Sequence, residues 1–342
     1  MIRPLAFSAA LACAGLAAPV SAATLSDVFT SFYVLGDSNS DWGNLGANGP
    51  PPPYLNGQFS NGPVWADILD DPFQDPEAIR TWNYAFGGAR VTETSEVPDL
   101  PTQLQVFAAD LDPAVDDPLP GTPELGERPL VSIWFGANDI RAIYQSFLEA
   151  VDGLAPTDPA VDAAREAARG QAASVGALYA SSLELAAADP RLGDLLTFTT
   201  ADAAATPEYV DPDPLLAELV QAFNDQVLAA LMRIEDTGVN VFTVDIFGLQ
   251  QQVAADPAAF GFDNVTDACL TFDQDGPVVC DTPETYLFWD EVGHLSGAGH
   301  AALAGIVEET VLSGLTPVPL PASFPALMAA LAAVGALRLR RS

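Results

Sequence analysis

The apolar residues of this chain fall into two alternating kinds of run. Short stretches rich in β-branched and aromatic side chains, at 31–36, 81–86, 129–135 and 239–247, predict buried strands. Between them, apolar positions spaced three and four apart predict helices over 64–69, 104–111, 140–151, 161–188, 215–234 and 303–312. The clearest is 215–234, with Leu216, Leu219, Phe223, Val227 and Leu231 along one face and Gly238 beyond its end. Strands alternating with helices predict an α/β chain whose mainly parallel sheet is covered on both faces. The Ala-rich stretch 155–213 reads as a helical insertion beside the core. The acidic, Pro-rich segments 110–127 and 201–213 read as surface loops. In sheets of this kind ligands bind beyond the carboxyl ends of the strands, so the residues after each strand are the ones to inspect.

Both ends depart from this pattern. Arg3, an apolar run over 5–16 and the small-residue site Val20-Ser21-Ala22 predict a secretory signal peptide over residues 1–22. The run is shorter than the roughly 20 residues a membrane span needs. At the other end, Val318-Pro319-Leu320-Pro321-Ala322 precedes an apolar stretch over 323–337 and then Arg338, Arg340 and Arg341. These three parts, in this order, resemble the VPLPA-type sorting tails of bacterial envelope proteins, relatives of PEP-CTERM tails. The resemblance implies a membrane sorting protease as partner, and a transmembrane tail over 318–342 that is cleaved or anchors the chain. Residues 23–317 are then one domain, secreted or associated with the cell envelope.

Export changes the cysteine count. Cys13 leaves with the signal peptide, and Cys269 and Cys280 remain as an even pair in an oxidising compartment, which predicts a disulfide between them. The Asp-rich stretch 263–281 around that pair lacks EF-hand spacing and reads as a solvated loop.

Charge removes whole classes of function. Forty-six acidic residues against 12 basic ones give a net charge of −34, and every basic residue is Arg. Arg3, Arg338, Arg340 and Arg341 sit in the ends, which hold no acidic residue, so the body is more negative still. Nucleic-acid binding is excluded, because it rests on cationic side chains displacing counterions. The absence of Lys excludes a Walker-type phosphate loop, Schiff-base chemistry and a Ser–Lys dyad. Two His without a Cys-x-x-Cys pair exclude a His- or Cys-rich zinc site.

Four blocks remain, each close to the end of a predicted strand or of the chain: Gly36-Asp37-Ser38-Asn39-Ser40-Asp41, Asn83-Tyr84-Ala85-Phe86-Gly87-Gly88-Ala89, Gly136-Ala137-Asn138-Asp139 and Phe288-Trp289-Asp290-Glu291-Val292-Gly293-His294. A serine hydrolase needs a hydroxyl nucleophile, a base, a group orienting the base, and donors aimed at the developing oxyanion. Ser38 supplies the hydroxyl and His294 the base. The amides of Ser38 and Gly88 with the Asn138 side chain supply the donors, although Gly87 could stand in for Gly88 and Asn138 could be a helix cap. His300 reads as a packed helix residue, and Asp37 and Asp139 as groups that orient loops.

These residues, in this order, resemble the GDSL family of the SGNH hydrolases, over roughly residues 31–313. The likeness extends through Phe59-Ser60-Asn61-Gly62-Pro63-Val64-Trp65 and through 286–300. It implies a three-layer α/β/α sandwich of flavodoxin-like type and an ester hydrolase that works through an acyl-enzyme with no metal or organic cofactor. Lipase, esterase, phospholipase or thioesterase activity is implied, and carbohydrate deacetylation is a rival within the same chemistry. One departure concerns the acid. The family places its Asp three residues before the His, whereas here Glu291 is three before and Asp290 four. The Phe-Trp-Asp context favours Asp290 and the spacing favours Glu291. That shifted carboxylate and the sorting tail also motivate a different reading, a non-catalytic envelope or matrix binding protein. For an enzyme, the negative body favours neutral small-molecule or lipid esters over anionic phospholipids.

Overall fold

The computed structural model describes residues 24–74, 80–94, 96–111, 126–209, 214–235 and 239–315. The signal segment, the sorting tail and most of the 110–127 loop lie outside these residues.

Five parallel strands form the central sheet: β1 (Ser31–Gly36), β2 (Thr81–Asn83), β3 (Pro129–Trp134), β4 (Asp194–Phe198) and β5 (Val241–Val244), in the spatial order β2-β1-β3-β4-β5. The three inner strands are buried at every position, and this is why they are apolar on both faces. The edge strand β5 alternates between buried and half-buried positions. Residue parity divides the core between the two faces. Tyr33, Leu35, Val131, Ile133 and Leu195 pack one way, under α2 (Leu100–Asp110), α3 (Ala137–Val151), α4 (Pro159–Ala188) and α5 (Leu215–Glu235). Phe32, Val34, Leu130, Trp134, Leu196 and Phe198 pack the other way, under α1 (Trp65–Asp70) and α7 (Gly297–Leu315). The chain is therefore a three-layer α/β/α sandwich. α5 is long and apolar enough to cross a membrane by composition, but its apolar face, including Leu219, Phe223 and Val227, is fully buried in this core.

Four expectations need correction. The predicted strand 81–86 stops at Asn83 as β2, although the amides of Tyr84 and Phe86 still donate to the carbonyls of Val34 and Gly36. Residues 155–213 are not an insertion beside the core, because β4 lies within them, between β3 and β5. Its Leu-Leu-Thr-Phe run carries little β-branched signal and follows a 30-residue Ala-rich helix, so local composition hid it. The predicted strand 239–247 ends early. The Asp245 side chain accepts from the Gly248 amide and starts α6 (Ile246–Ala255). Finally, 263–281 is no loop. It forms β6 (Asn264–Asp273) and β7 (Gly276–Val279), an antiparallel hairpin that turns through Gln274 and Asp275 into Gly276 (φ +125°), and β6 pairs in parallel with β8 (Tyr286–Asp290). β6 buries only Cys269 and Leu270, so polar residues are tolerated along most of its length.

Candidate active site

In the strand order 2-1-3-4-5 the chain leaves β1 toward one edge and leaves β3 toward the other. The crevice beyond these two strand ends is the topological switch point. Ser38 follows β1 and Asn138 follows β3.

The turn after β1 is held from several sides. Buried Gln103 on α2 both donates to the Gly36 carbonyl and accepts from the Gly36 amide, each at 2.9 Å. The Asp37 side chain accepts from the Asn39 amide at 3.0 Å, and its carbonyl accepts from the amides of Ser40 and Asp41. Burial pushes the Asp37 carboxyl up to about 6, with the Asn39 hydrogen bonds and the His294 charge opposing it. Ser38, 6% exposed, sits on this turn.

His294 reaches the turn from the far end of the chain. Its Nε2 lies 2.8 Å from Ser38 Oγ and its Nδ1 lies 2.7 Å from Asp290 Oδ2. In the tautomer with its proton on Nδ1, toward the carboxylate, a neutral ring accepts from the Ser38 hydroxyl at Nε2. Asp290 is thus the carboxylate that meets the imidazole, and Glu291 is exposed to solvent. A tight turn absorbs the extra residue. Gly293 adopts φ +97°, its amide returns to the Asp290 carbonyl, and Asp290 Oδ1 accepts from the amides of Val292, Gly293 and His294 at 3.1 Å each. Burial would raise the Asp290 carboxyl, but His294 together with hydrogen bonds from Tyr54 and the His294 amide brings it below the usual carboxylate range.

The second block is anchored by Asp41, whose Oδ2 accepts from the Gly87 amide at 2.7 Å. Gly87 is thereby occupied. Gly88, exposed and at φ +86°, has open space where a side chain would stand. Asn138 does not cap α3. Gly136 holds the cap position at φ +126°, where any Cβ would collide with Thr200 and Phe223, and Asn138 lies in the first turn. One Asn138 Nδ2 proton goes to the Ala89 carbonyl at 3.0 Å, tying this side chain to the residue after Gly88. Asp139 accepts from the Val91 amide at 2.9 Å, and burial pushes its carboxyl up to about 6. His300 is buried on α7, where Nδ1 accepts from the Trp65 amide at 3.3 Å. Burial first, and the charge of His294 second, hold it at about 3.

Several contributors lie outside the four blocks. Tyr54 donates to Asp290 Oδ2 at 2.8 Å, and the Phe59 ring packs 5.0 Å from the His294 ring. Phe59 belongs to the Phe-Ser-Asn-Gly run already noted in the sequence, whereas no local signal marks Tyr54. Ser38, Asn138 and His294 open onto a cavity of about 160 Å³ with mainly apolar walls, among them Trp134, Leu249, Phe262, Phe288 and Leu303. Arg141 and Glu208, paired at 2.9 Å, also line it, so residues 201–209 help to build the site. Away from the cavity, the Sγ atoms of Cys269 and Cys280 lie at bonding distance, 2.04 Å.

The family model described as GDSL-like Lipase/Acylhydrolase matches residues 32–307. A phosphatidylcholine-sterol acyltransferase from Aeromonas hydrophila is 28% identical over 264 residues, covering 74% of this chain and 69% of that protein. Among solved structures, an extracellular lipase from Streptomyces rimosus covers 82% of this chain and 99% of its own, at 14% identity and a TM-score of 0.42. A phospholipase A1 from Streptomyces albidoflavus covers 82% and 99%, at 11% identity and a TM-score of 0.39.

Proposed function

The chain belongs to the GDSL-like lipase/acylhydrolase family, and from that premise we propose that it is an exported carboxylic ester hydrolase acting through Ser38, His294 and Asp290. The observation that carries this reading is the unbroken hydrogen-bonded line from Ser38 Oγ through the imidazole to the Asp290 carboxylate. Ser38 attacks the ester carbonyl while His294 Nε2 takes its proton, and Asp290 stabilises the resulting imidazolium. The oxyanion is met by the amides of Ser38 and Gly88 and by the second Nδ2 proton of Asn138. His294 returns the proton to the departing alcohol, leaving an acyl-enzyme on Ser38. A water, deprotonated by the same base, then releases the acid.

The mainly apolar cavity beside Ser38 favours esters with an alkyl or acyl chain longer than acetyl, and so a lipase or esterase over a carbohydrate deacetylase. The relative named as an acyltransferase supports a second outcome for the same acyl-enzyme, transfer to an alcohol in place of water. Export through residues 1–22, sorting through 318–342 and a Cys269–Cys280 disulfide complete the proposal. Together they describe one hydrolase domain working outside the cytoplasm.

Purified protein assayed on p-nitrophenyl acetate, butyrate and palmitate, with and without an added alcohol acceptor, tests the reading. Ser38→Ala is expected to lower turnover by on the order of 10⁶-fold. Turnover of none of these esters by the unaltered protein would instead favour an envelope or matrix binding protein.

A further inference from the structure

The segment 49–63 meets residues 290–297 at four points. Phe59 packs on the imidazole, and Asn61 Oδ1 accepts from the Gly297 amide at 2.7 Å. Gly62 lies so close to Gly297 that a Cβ on it would come within 2.8 Å of the Gly297 Cα. The fourth point is Tyr54, whose hydroxyl donates to the same Asp290 oxygen that faces His294 Nδ1. The ring of Tyr54 stands edge-on to Trp289, at 6.1 Å and 88°, and packs against the buried cluster of Cys269, Leu270 and Trp289. Backbone bonds from Tyr54 to Pro51 and from Leu55 to Ser60 fix the position from which it reaches.

This geometry gives each oxygen of Asp290 separate partners. Oδ1 is filled by three amides of its own turn, so the backbone fixes it. Oδ2 has His294 and Tyr54. Without the phenol, Oδ2 of this 3% exposed carboxylate would be held only by the imidazole it is meant to orient, while the three amides on Oδ1 stayed in place. Tyr54 remains a donor throughout, because burial and then the Asp290 charge push its own ionisation upward.

We propose that Tyr54 is a positioning residue for the hydrolysis, fixing Asp290 Oδ2 against His294 through its hydroxyl. The inference rests on the assignment of Ser38, His294 and Asp290 under Proposed function. Among the described residues, Tyr54 from segment 49–63 bonds to Asp290, Asp37 beyond Ser38 and His300 on α7 interact with the charge of His294, and exposed Glu291 on the same turn acts on Tyr54.

The full chain is compared with Tyr54→Phe and Tyr54→Leu by two measurements, turnover of p-nitrophenyl butyrate against pH and NMR titration of the imidazole resonances. With only two His in the sequence, the NMR signals are readily assigned. Tyr54→Phe is expected to lower kcat about tenfold with KM changed by less than about twofold. Removing the donor leaves more of the carboxylate charge for the imidazolium. The acid limb of the profile and the His294 titration midpoint are therefore both expected to move to higher pH. The proposal is overturned if Tyr54→Phe keeps the unaltered kcat and titration midpoint while Tyr54→Leu loses activity, since the ring alone would then suffice. The NMR midpoint needs no turnover, so a chain inactive on every ester would defeat the hydrolase assignment and still decide whether Tyr54 acts on the pair.

Discussion

The backbone amide of Gly87 donates to Asp41 Oδ2 at 2.7 Å, so of the Gly87-Gly88 pair it is Gly88 that the proposed mechanism uses as an oxyanion donor. Asp41 Oδ1 also takes the amides of Gly43 and Asn44, so one fully buried carboxylate ties the loop after β1 to the loop after β2. Asp41→Ala leaves three amides without their acceptor. We expect a stability loss of about 2–4 kcal/mol, and a fall in kcat of about 10²-fold as Gly88 loses its place. Thermal denaturation and steady-state kinetics read the two effects. Asp41→Asn, which keeps an acceptor oxygen, is expected to recover part of each. Unchanged kcat in Asp41→Ala would remove Gly88 from the oxyanion site.

The carboxylate assignment makes a sharper demand. Asp290→Ala is expected to lower kcat by about 10³–10⁴-fold, because the imidazole loses both its orienting acceptor and the charge that stabilises its protonated form. Glu291→Ala, at an exposed position, is expected to stay within about twofold of the unaltered protein. The reverse pattern would sink the assignment of Asp290.

The limits of the sequence are clearest at this carboxylate. β1 was readable to the residue, because an inner strand apolar on both faces leaves an unbroken run, and the blocks at 36–41 and 136–139 follow such strands directly. β4 was not readable, since Leu-rich composition does not separate strand from helix and its place in the sheet comes from pairing with β3 and β5. Residue counting could not choose between Asp290 and Glu291. The deciding fact is a turn whose Gly293 takes a left-handed φ, and a Gly just before the base was the one local hint of it. Tyr54 lies 236 residues from its partner, so no local pattern could connect them.

Buried carboxyls give the fold an unusual pH response. Burial raises Asp37, Asp67 and Asp139 to about 6 and Asp70 to about 7, whereas in the unfolded chain Asp titrates at about 4. Between about pH 4 and 7 the folded chain therefore holds more protons at these sites, and stability falls as pH rises through that window. His300 acts in the opposite sense. Its folded value of about 3 lies below its unfolded one, so in the same window only the unfolded chain takes up that proton. The contribution of Asp290, held below the usual range, is lost only at more acid pH. Four carboxyls outweigh one imidazole, and the thermal midpoint is expected to be higher near about pH 5 than near about pH 8. Asp70→Asn should flatten that slope. A midpoint that climbs steadily from pH 5 to 8 would show that these groups do not govern it.

The cavity predicts how acyl preference can be moved without touching the reacting groups. Leu249 lies on its wall and only partly buried, so a larger side chain there can be accommodated by filling the hollow. Leu249→Trp is expected to leave p-nitrophenyl acetate turnover within about twofold, because the acetyl group stays at Ser38, and to cut turnover of longer chains. Each methylene denied a place costs about 1 kcal/mol or more of transition-state binding, so the ratio of butyrate or palmitate to acetate kcat/KM should fall at least about tenfold. Equal losses on all three esters would mean that the substitution disturbs Ser38 or His294 and not a chain-binding wall. Equal retention would mean that the acyl chain leaves Ser38 by another route. A fall confined to the longer esters would assign this side of the switch-point crevice to the acyl group and leave the rim near Gly88, on the β2 side, for the alcohol.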